Sequence, residues 1–224
     1  MWYWILFIGI AVASWLIQKN LEKKFKEYSK LPVIMTGREV AEKMLRSNGI
    51  TDVKVVSTRG MLTDHYNPVD KTLNLSEGVY NVASVAAAAV AAHECGHAVQ
   101  HKYGYAPLKL RSALVPAVNI SSKLVTIVLL AGMFLIETFP QIMLLGIILF
   151  AVTTLFSVVT LPVEIDASKR ALVWLDHSGL TSGETQKKAE SALRSAAYTY
   201  VIAAVSSLAT LMYYIAIFMG GRDD

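Results

Sequence analysis

A single cysteine, Cys95, in 224 residues excludes an intrachain disulfide framework and a paired-cysteine zinc knuckle. Charge is scarce as well. Only 17% of residues are Asp, Glu, Lys or Arg while 54% are apolar, a balance that points to a membrane protein. The net charge of +4 would suit nucleic acid, but the lysines and arginines gather beside apolar runs and no basic recognition element accompanies them. Nucleic acid is therefore not an expected partner; the lipid bilayer is. The opening run, MWYWILFIGIAVASWLIQKN, has no positive residue ahead of its apolar core and no A-x-A cleavage site. Its positive charges follow at Lys19, Lys23, Lys24 and Lys26, the reverse of a secretory signal peptide, so residues 1–17 read as a retained anchor.

Three more apolar segments follow, at 114–136, 141–163 and about 196–219, with the short ETFP turn between the first two. Fourteen lysines and arginines lie from Lys19 to Arg111 and five from Lys169 to Arg194, whereas the 137–140 turn has none. The positive-inside preference then gives four crossings of a bacterial cell membrane, both termini outside and both basic regions in the cytoplasm. Two distant pieces of sequence can thereby build one cytoplasmic domain. The expected division is an anchor at 1–17, a cytoplasmic catalytic region at 18–112, a transmembrane hairpin at 113–163, a cytoplasmic helical region at 164–195, a last crossing at 196–219 and a tail at 220–224.

Within the first cytoplasmic piece, TGREVAEKMLRSNG carries Val40, Ala41, Met44 and Leu45 at helical spacing and Gly49 as a stop. ITDVKVVST and KTLNLS read as short strands, and GMLTDHYNPVD between them as a loop. A long helix is expected from about Val79 to Tyr103, ended by Gly104. The fold class is an integral membrane protein, mainly α, with four transmembrane helices and a small cytoplasmic α+β domain.

The long helix carries HECGH, residues 93–97. With five histidines and ten glutamates in the chain, H-E-x-x-H would arise by chance in roughly 0.5% of chains this long. His93 and His97 stand one turn apart on one helix face and can address a single ion. Glu94 lies roughly 100 degrees round from His93, able to reach a water on that ion without being a ligand. A catalytic zinc takes three protein ligands and a water, and Glu94 reads as the base that takes the water's proton during attack on a peptide carbonyl. Cys95 points the opposite way and reads as core.

The third ligand must come from elsewhere. His65, His101, His177 and several carboxylates are available. His101 sits roughly 12 Å along the helix from His93, too far to share the ion. Glu164 is favoured: it follows Pro162 where the third crossing emerges, on the side that charge assigns to the motif. EIDASKRALVWL then reads as a further helix, with Ala167, Ala171 and Trp174 to pack on the small residues preceding the motif. Ser168 shares the face of Glu164 and Asp166 does not; either could orient a ligand imidazole from behind.

The chain resembles the YugP-like bacterial membrane-bound neutral zinc metallopeptidases, and more distantly the HtpX and Ste24 membrane proteases. The resemblance rests on the anchor, DHYNPVDKTLNLSEGVY at 64–80, AAHECGHAVQ at 91–100 and LPVEIDASKRA at 161–171. It implies a zincin-like metalloprotease domain of the gluzincin type, with one zinc ion on His93, His97 and Glu164 and with Glu94 catalytic. The distant relatives place an aspartate four residues after the ligand glutamate, where this chain has Ser168. The resemblance also implies that Thr72, Leu73, Asn74 and Leu75 form an edge strand that takes the substrate backbone. His65, Tyr66 and Asn67 are candidates for holding the carbonyl or oxyanion, with His177 and Arg170 as alternatives.

The expected function is a membrane-embedded zinc endopeptidase acting on unfolded or membrane-associated protein segments at the cytoplasmic face. A metal-binding transporter would instead pair ionisable residues within several crossings, and the third and fourth crossings have almost none. A non-catalytic scaffold has no use for Glu94. The topology has a direct test: cysteines introduced by Lys71→Cys and Ser182→Cys should both react with membrane-impermeant reagent from the cytoplasmic side. Labelling from opposite sides would remove Glu164 from the site.

Overall fold

Apolar runs too long for a small soluble core become helices in the computed structural model, which describes residues 2–220. Met1 of the expected anchor and residues 221–224 of the expected tail lie outside the described residues. In chain order the elements are α1 (Trp2–Tyr28), α2 (Gly37–Ser47), β1 (Lys54–Thr58), β2 (His65–Asn67), β3 (Thr72–Ser76), α3 (Glu77–Tyr80), α4 (Val85–Lys102), α5 (Ala106–Phe134), α6 (Pro140–His177) and α7 (Gly183–Gly220). Among the described residues, four helices, α1, α5, α6 and α7, are long and apolar enough to cross a membrane. The chain is a multi-pass membrane protein with a mixed α/β region.

Helices α6 and α7 have 38 residues each. At 1.5 Å per residue each is about 57 Å long, well beyond a hydrocarbon layer of about 30 Å. Each serves two compact units. The first unit takes the described residues up to Trp15, Lys109–Pro162 and those from Tyr200; the second takes Leu16–Leu108 and Val163–Thr199.

The first unit is apolar outside as well as inside. Leu130, Ile148, Leu155, Val205 and Met212 are exposed, as lipid-facing positions are. Its small core joins Leu129, Met143 and Ile147 with Phe150, Leu211 and Tyr214 packed against them. At Gly132 a Cβ atom would stand 2.6 Å from the Cα of Met143, so the α5–α6 hairpin closes backbone to backbone there. Thr154 and Ser207 share a hydroxyl hydrogen bond of 2.8 Å between α6 and α7.

The second unit is built around α4, whose alanines 86–89, 91 and 92 are completely buried. Helix α2 starts from a capping box: the Thr36 hydroxyl accepts from the Glu39 backbone and the Glu39 carboxylate accepts from the Thr36 N–H. Its Val40, Ala41, Met44 and Leu45 are buried in the same core as α4. The far end of α6 docks on α2, where the Trp174 indole donates to the Ser47 hydroxyl at 2.7 Å.

Four expectations need correction. The long helix starts at Val85 rather than Val79: the Ser84 side chain caps it by accepting from the Ala87 N–H. Residues 82–85 are meanwhile held by residues 31–37, with the Val85 N–H on the Leu31 carbonyl at 2.9 Å. Residues 77–80 form the separate turn α3. The helix expected at EIDASKRALVWL is not a separate one. Helix α6 continues through Pro162, and Val163, Ala167, Ala171 and Leu175 beyond it are fully buried at helical spacing, so packing carries the helix past the missing N–H. The loop between the expected strands contains a strand of its own, β2. The sheet order is β1-β3-β2, with β1 parallel and β2 antiparallel to β3. Thr72, Leu73, Asn74 and Leu75 therefore lie on the central strand, the first three paired on both sides and Leu75 with β1, and the strand is not an edge of the sheet; the edges are β1 and β2.

Candidate metal centre

Two sequence features bring Glu164 to the motif. Position 96, inside HECGH, has no side chain, and a Cβ there would stand 2.6 Å from the carbonyl oxygen of Ala167. Helices α4 and α6 therefore touch backbone to backbone. Glu164 precedes that contact by three residues, about one turn of α6, and so projects its carboxylate at the face of α4 that bears the histidines.

The resulting cluster is His93, His97 and Glu164, whose ligand atoms all lie within 4.8 Å of one another. Oε2 of Glu164 is 3.2 Å from Nε2 of His93 and 3.6 Å from Nε2 of His97. Donors about 2.05 Å from a tetrahedral ion stand about 3.3 Å apart. Two imidazoles and one carboxylate at this spacing fit a metal ion. The Glu164 side chain is only 3% exposed, and a carboxylate that deep requires positive charge. Burial disfavours the imidazolium of His97, yet the carboxylates of Glu164 and Glu94 hold its pKa above the ordinary histidine value. The cluster wants a cation, so protons and a metal compete for it and acid favours the proton.

The remaining ring nitrogens are also engaged. Nδ1 of His93 is 3.1 Å from the Ser168 hydroxyl. Nδ1 of His97 is 3.1 Å from Oε1 of Gln100, whose amide nitrogen donates to the Val163 carbonyl at 2.7 Å and to Asp166 at 2.8 Å. Arg170 donates to the same Asp166 oxygen at 2.6 Å. Ser168 and Asp166 thus divide the two imidazoles between them, Asp166 acting through Gln100. Gln100 was not singled out from the sequence, although its place three residues after His97 puts it on the same helix face.

Glu94 is 8% exposed and accepts, at 3.1 Å, the backbone N–H of Tyr66 on the edge strand β2. The Tyr66 phenol, its pKa raised by burial, meets Nδ1 of the exposed His101 at 3.0 Å. Strand β2 is thereby clipped to α4 at two points.

Other sequence-selected residues lie apart. The exposed His65 pairs with the Thr63 carbonyl at 2.8 Å, and Asn67 spends its side chain on Asp70 and the Val69 N–H of its own turn. His177 is exposed at the end of α6, thirteen residues and about 20 Å along the helix from Glu164. Cys95 is fully buried with its thiol on the Ala41 carbonyl at 3.5 Å, and burial pushes its pKa well up, so it remains a thiol.

The model of the family described as "Putative neutral zinc metallopeptidase" matches residues 3–219, nearly the whole chain and the entire cluster. The chain belongs to this zinc metallopeptidase family. It is also 39% identical over 226 residues to the "Putative membrane protease YugP" of Bacillus subtilis (strain 168), covering 98% of this chain and 100% of that protein. No solved structure matches the chain.

Close approach at position 96 makes the metallopeptidase site sensitive to one methyl group. Gly96→Ala should push α6 off α4 and lower metal affinity by about tenfold or more, measured by chelator competition with zinc as the probe. Wild-type affinity in this variant would show that the backbone contact does not set the position of Glu164.

Proposed function

We propose that the protein is a membrane-embedded zinc endopeptidase in which His93, His97 and Glu164 hold one zinc ion and Glu94 is the general base. The observation that carries this reading is the convergence of the Glu164 carboxylate on two imidazoles one helix turn apart, beside a glutamate that need not be a ligand. When bound, zinc supplies a Lewis acid that polarises a peptide carbonyl and acidifies water at neutral pH.

The chain's own groups supply the rest. Glu94, oriented by the Tyr66 N–H, takes a proton from the attacking water and returns one to the departing amine. Ser168 and Gln100 keep the two imidazoles aimed. Strand β2 is the edge of the sheet beside the motif, so we assign substrate binding to it in place of β3. An extended backbone laid along such an edge is recognised through main-chain groups, which suits unfolded segments of varied sequence.

The basic flanks of the crossings favour a cytoplasmic site in a bacterial cell membrane, and the proposed substrates are unfolded or membrane-associated protein segments reaching that face. Glu94 also separates this reading from a structural metal site in a transporter or scaffold, which needs no base.

Detergent-purified Glu94→Gln protein should bind zinc as the wild type does and lose cleavage of an unfolded membrane-protein substrate by about a hundredfold or more. Undiminished cleavage would contradict the role given to Glu94.

A further inference from the structure

We propose that Gln100 is a positioning residue for the metal site: through its amide, Asp166 and Arg170 fix Nδ1 of His97 as a donor and so reserve Nε2, on the side of Glu164, for an ion. The inference rests on the ligand assignment above and extends it to a group that only the structure brings to notice.

Gln100 is completely buried, yet each end of its amide has a partner. One end faces the Val163 carbonyl at 2.7 Å and the Asp166 carboxylate at 2.8 Å. Both of these are acceptors only, so the amide nitrogen must face them. Arg170 donates to the same Asp166 oxygen at 2.6 Å, so that oxygen faces two donors and is the acceptor for both. The amide oxygen is thereby forced toward Nδ1 of His97, 3.1 Å away. An amide oxygen can only accept. Nδ1 therefore carries a proton, which leaves Nε2, 3.6 Å from Oε2 of Glu164, as the ring nitrogen that can give up its proton to a metal ion.

Reversing the amide would set its oxygen against two acceptors and its N–H groups against Nδ1, moving the imidazole proton to the nitrogen that must bind the metal. In a buried site such mismatches are expensive. His93 has no equivalent lock, because the Ser168 hydroxyl facing its Nδ1 can donate or accept. The two histidines are thus prepared differently: the amide fixes Nδ1 of His97 as a donor, and the hydroxyl facing His93 fixes neither role.

The test measures zinc affinity by chelator competition on the full-length purified protein, with the visible absorption of the cobalt(II)-substituted form as a readout of coordination. Gln100→Met keeps the volume but removes both functions of the amide and should weaken zinc binding about 10- to 100-fold, with far-UV circular dichroism retained and the cobalt bands altered. Gln100→Glu can still accept from His97 but loses both donations and meets Asp166, so it should not rescue affinity. Should Gln100→Met fail to fold, Asp166→Ala is the alternative, and about tenfold weaker binding is expected. Variants that bind zinc within twofold of wild type, with unchanged cobalt spectra, would overturn the proposal. Failure of the wild type to bind zinc, or wild-type binding by His97→Ala, would instead overturn the ligand assignment itself.

Discussion

A carboxylate that is 3% exposed, set between two imidazoles on another helix, is the interaction on which the second unit depends. A buried Glu164 has no reason to persist without compensating positive charge. Its placement explains otherwise unconnected features of the sequence. The alanine run of α4 and the missing side chain at Gly96 permit contact with α6, and the fully buried Ala167 and Ala171 answer from the other side. Bulkier side chains there would bury more apolar surface but would hold Glu164 away from the histidines.

The support of α6 and α7 extends beyond the motif. Helix α1 continues past its apolar part to Tyr28, and its polar end is tied to the beginning of α7 by Lys24 on Ser195 at 2.8 Å and Tyr28 on Ser191 at 3.3 Å. Lys188 lies 5.3 Å from the centre of the Tyr28 ring and 3.7 Å from Glu27. These exposed ion and ring contacts contribute little individually. Together they keep the polar halves of three long helices in one unit around α4.

Much of this was legible in the sequence because it depends on local pattern. Apolar runs marked the four long helices, and a four-residue spacing marked His93 and His97. Glu164 could be nominated because a proline, a membrane edge and a charge rule converged on it. What escaped depends on distant neighbours. Strand β2 is three residues long among Asp, Asn and Pro, too short to show an alternating pattern, and it exists because β3 pairs with it. The role of β3 was misjudged for the same reason: strand order is a tertiary property, and a hydrophobic Leu73 and Leu75 suit a central strand as well as an edge. The start of α4 was placed six residues early because nothing local distinguishes Val79 from Val85; the cap at Ser84 and the pairing with residues 31–37 decide it. Gln100 needed Asp166 and the Val163 carbonyl, both more than sixty residues away, to acquire a role.

X-ray absorption at the zinc edge, recorded on purified zinc-loaded protein, tests the three-ligand centre most directly. The expected result is four light donors at about 2.0 Å with the scattering of two imidazoles, no sulfur, and loss of bound zinc when Glu164 is replaced by alanine. A sulfur shell at about 2.3 Å, a single imidazole, or an unchanged spectrum without the Glu164 carboxylate would contradict it.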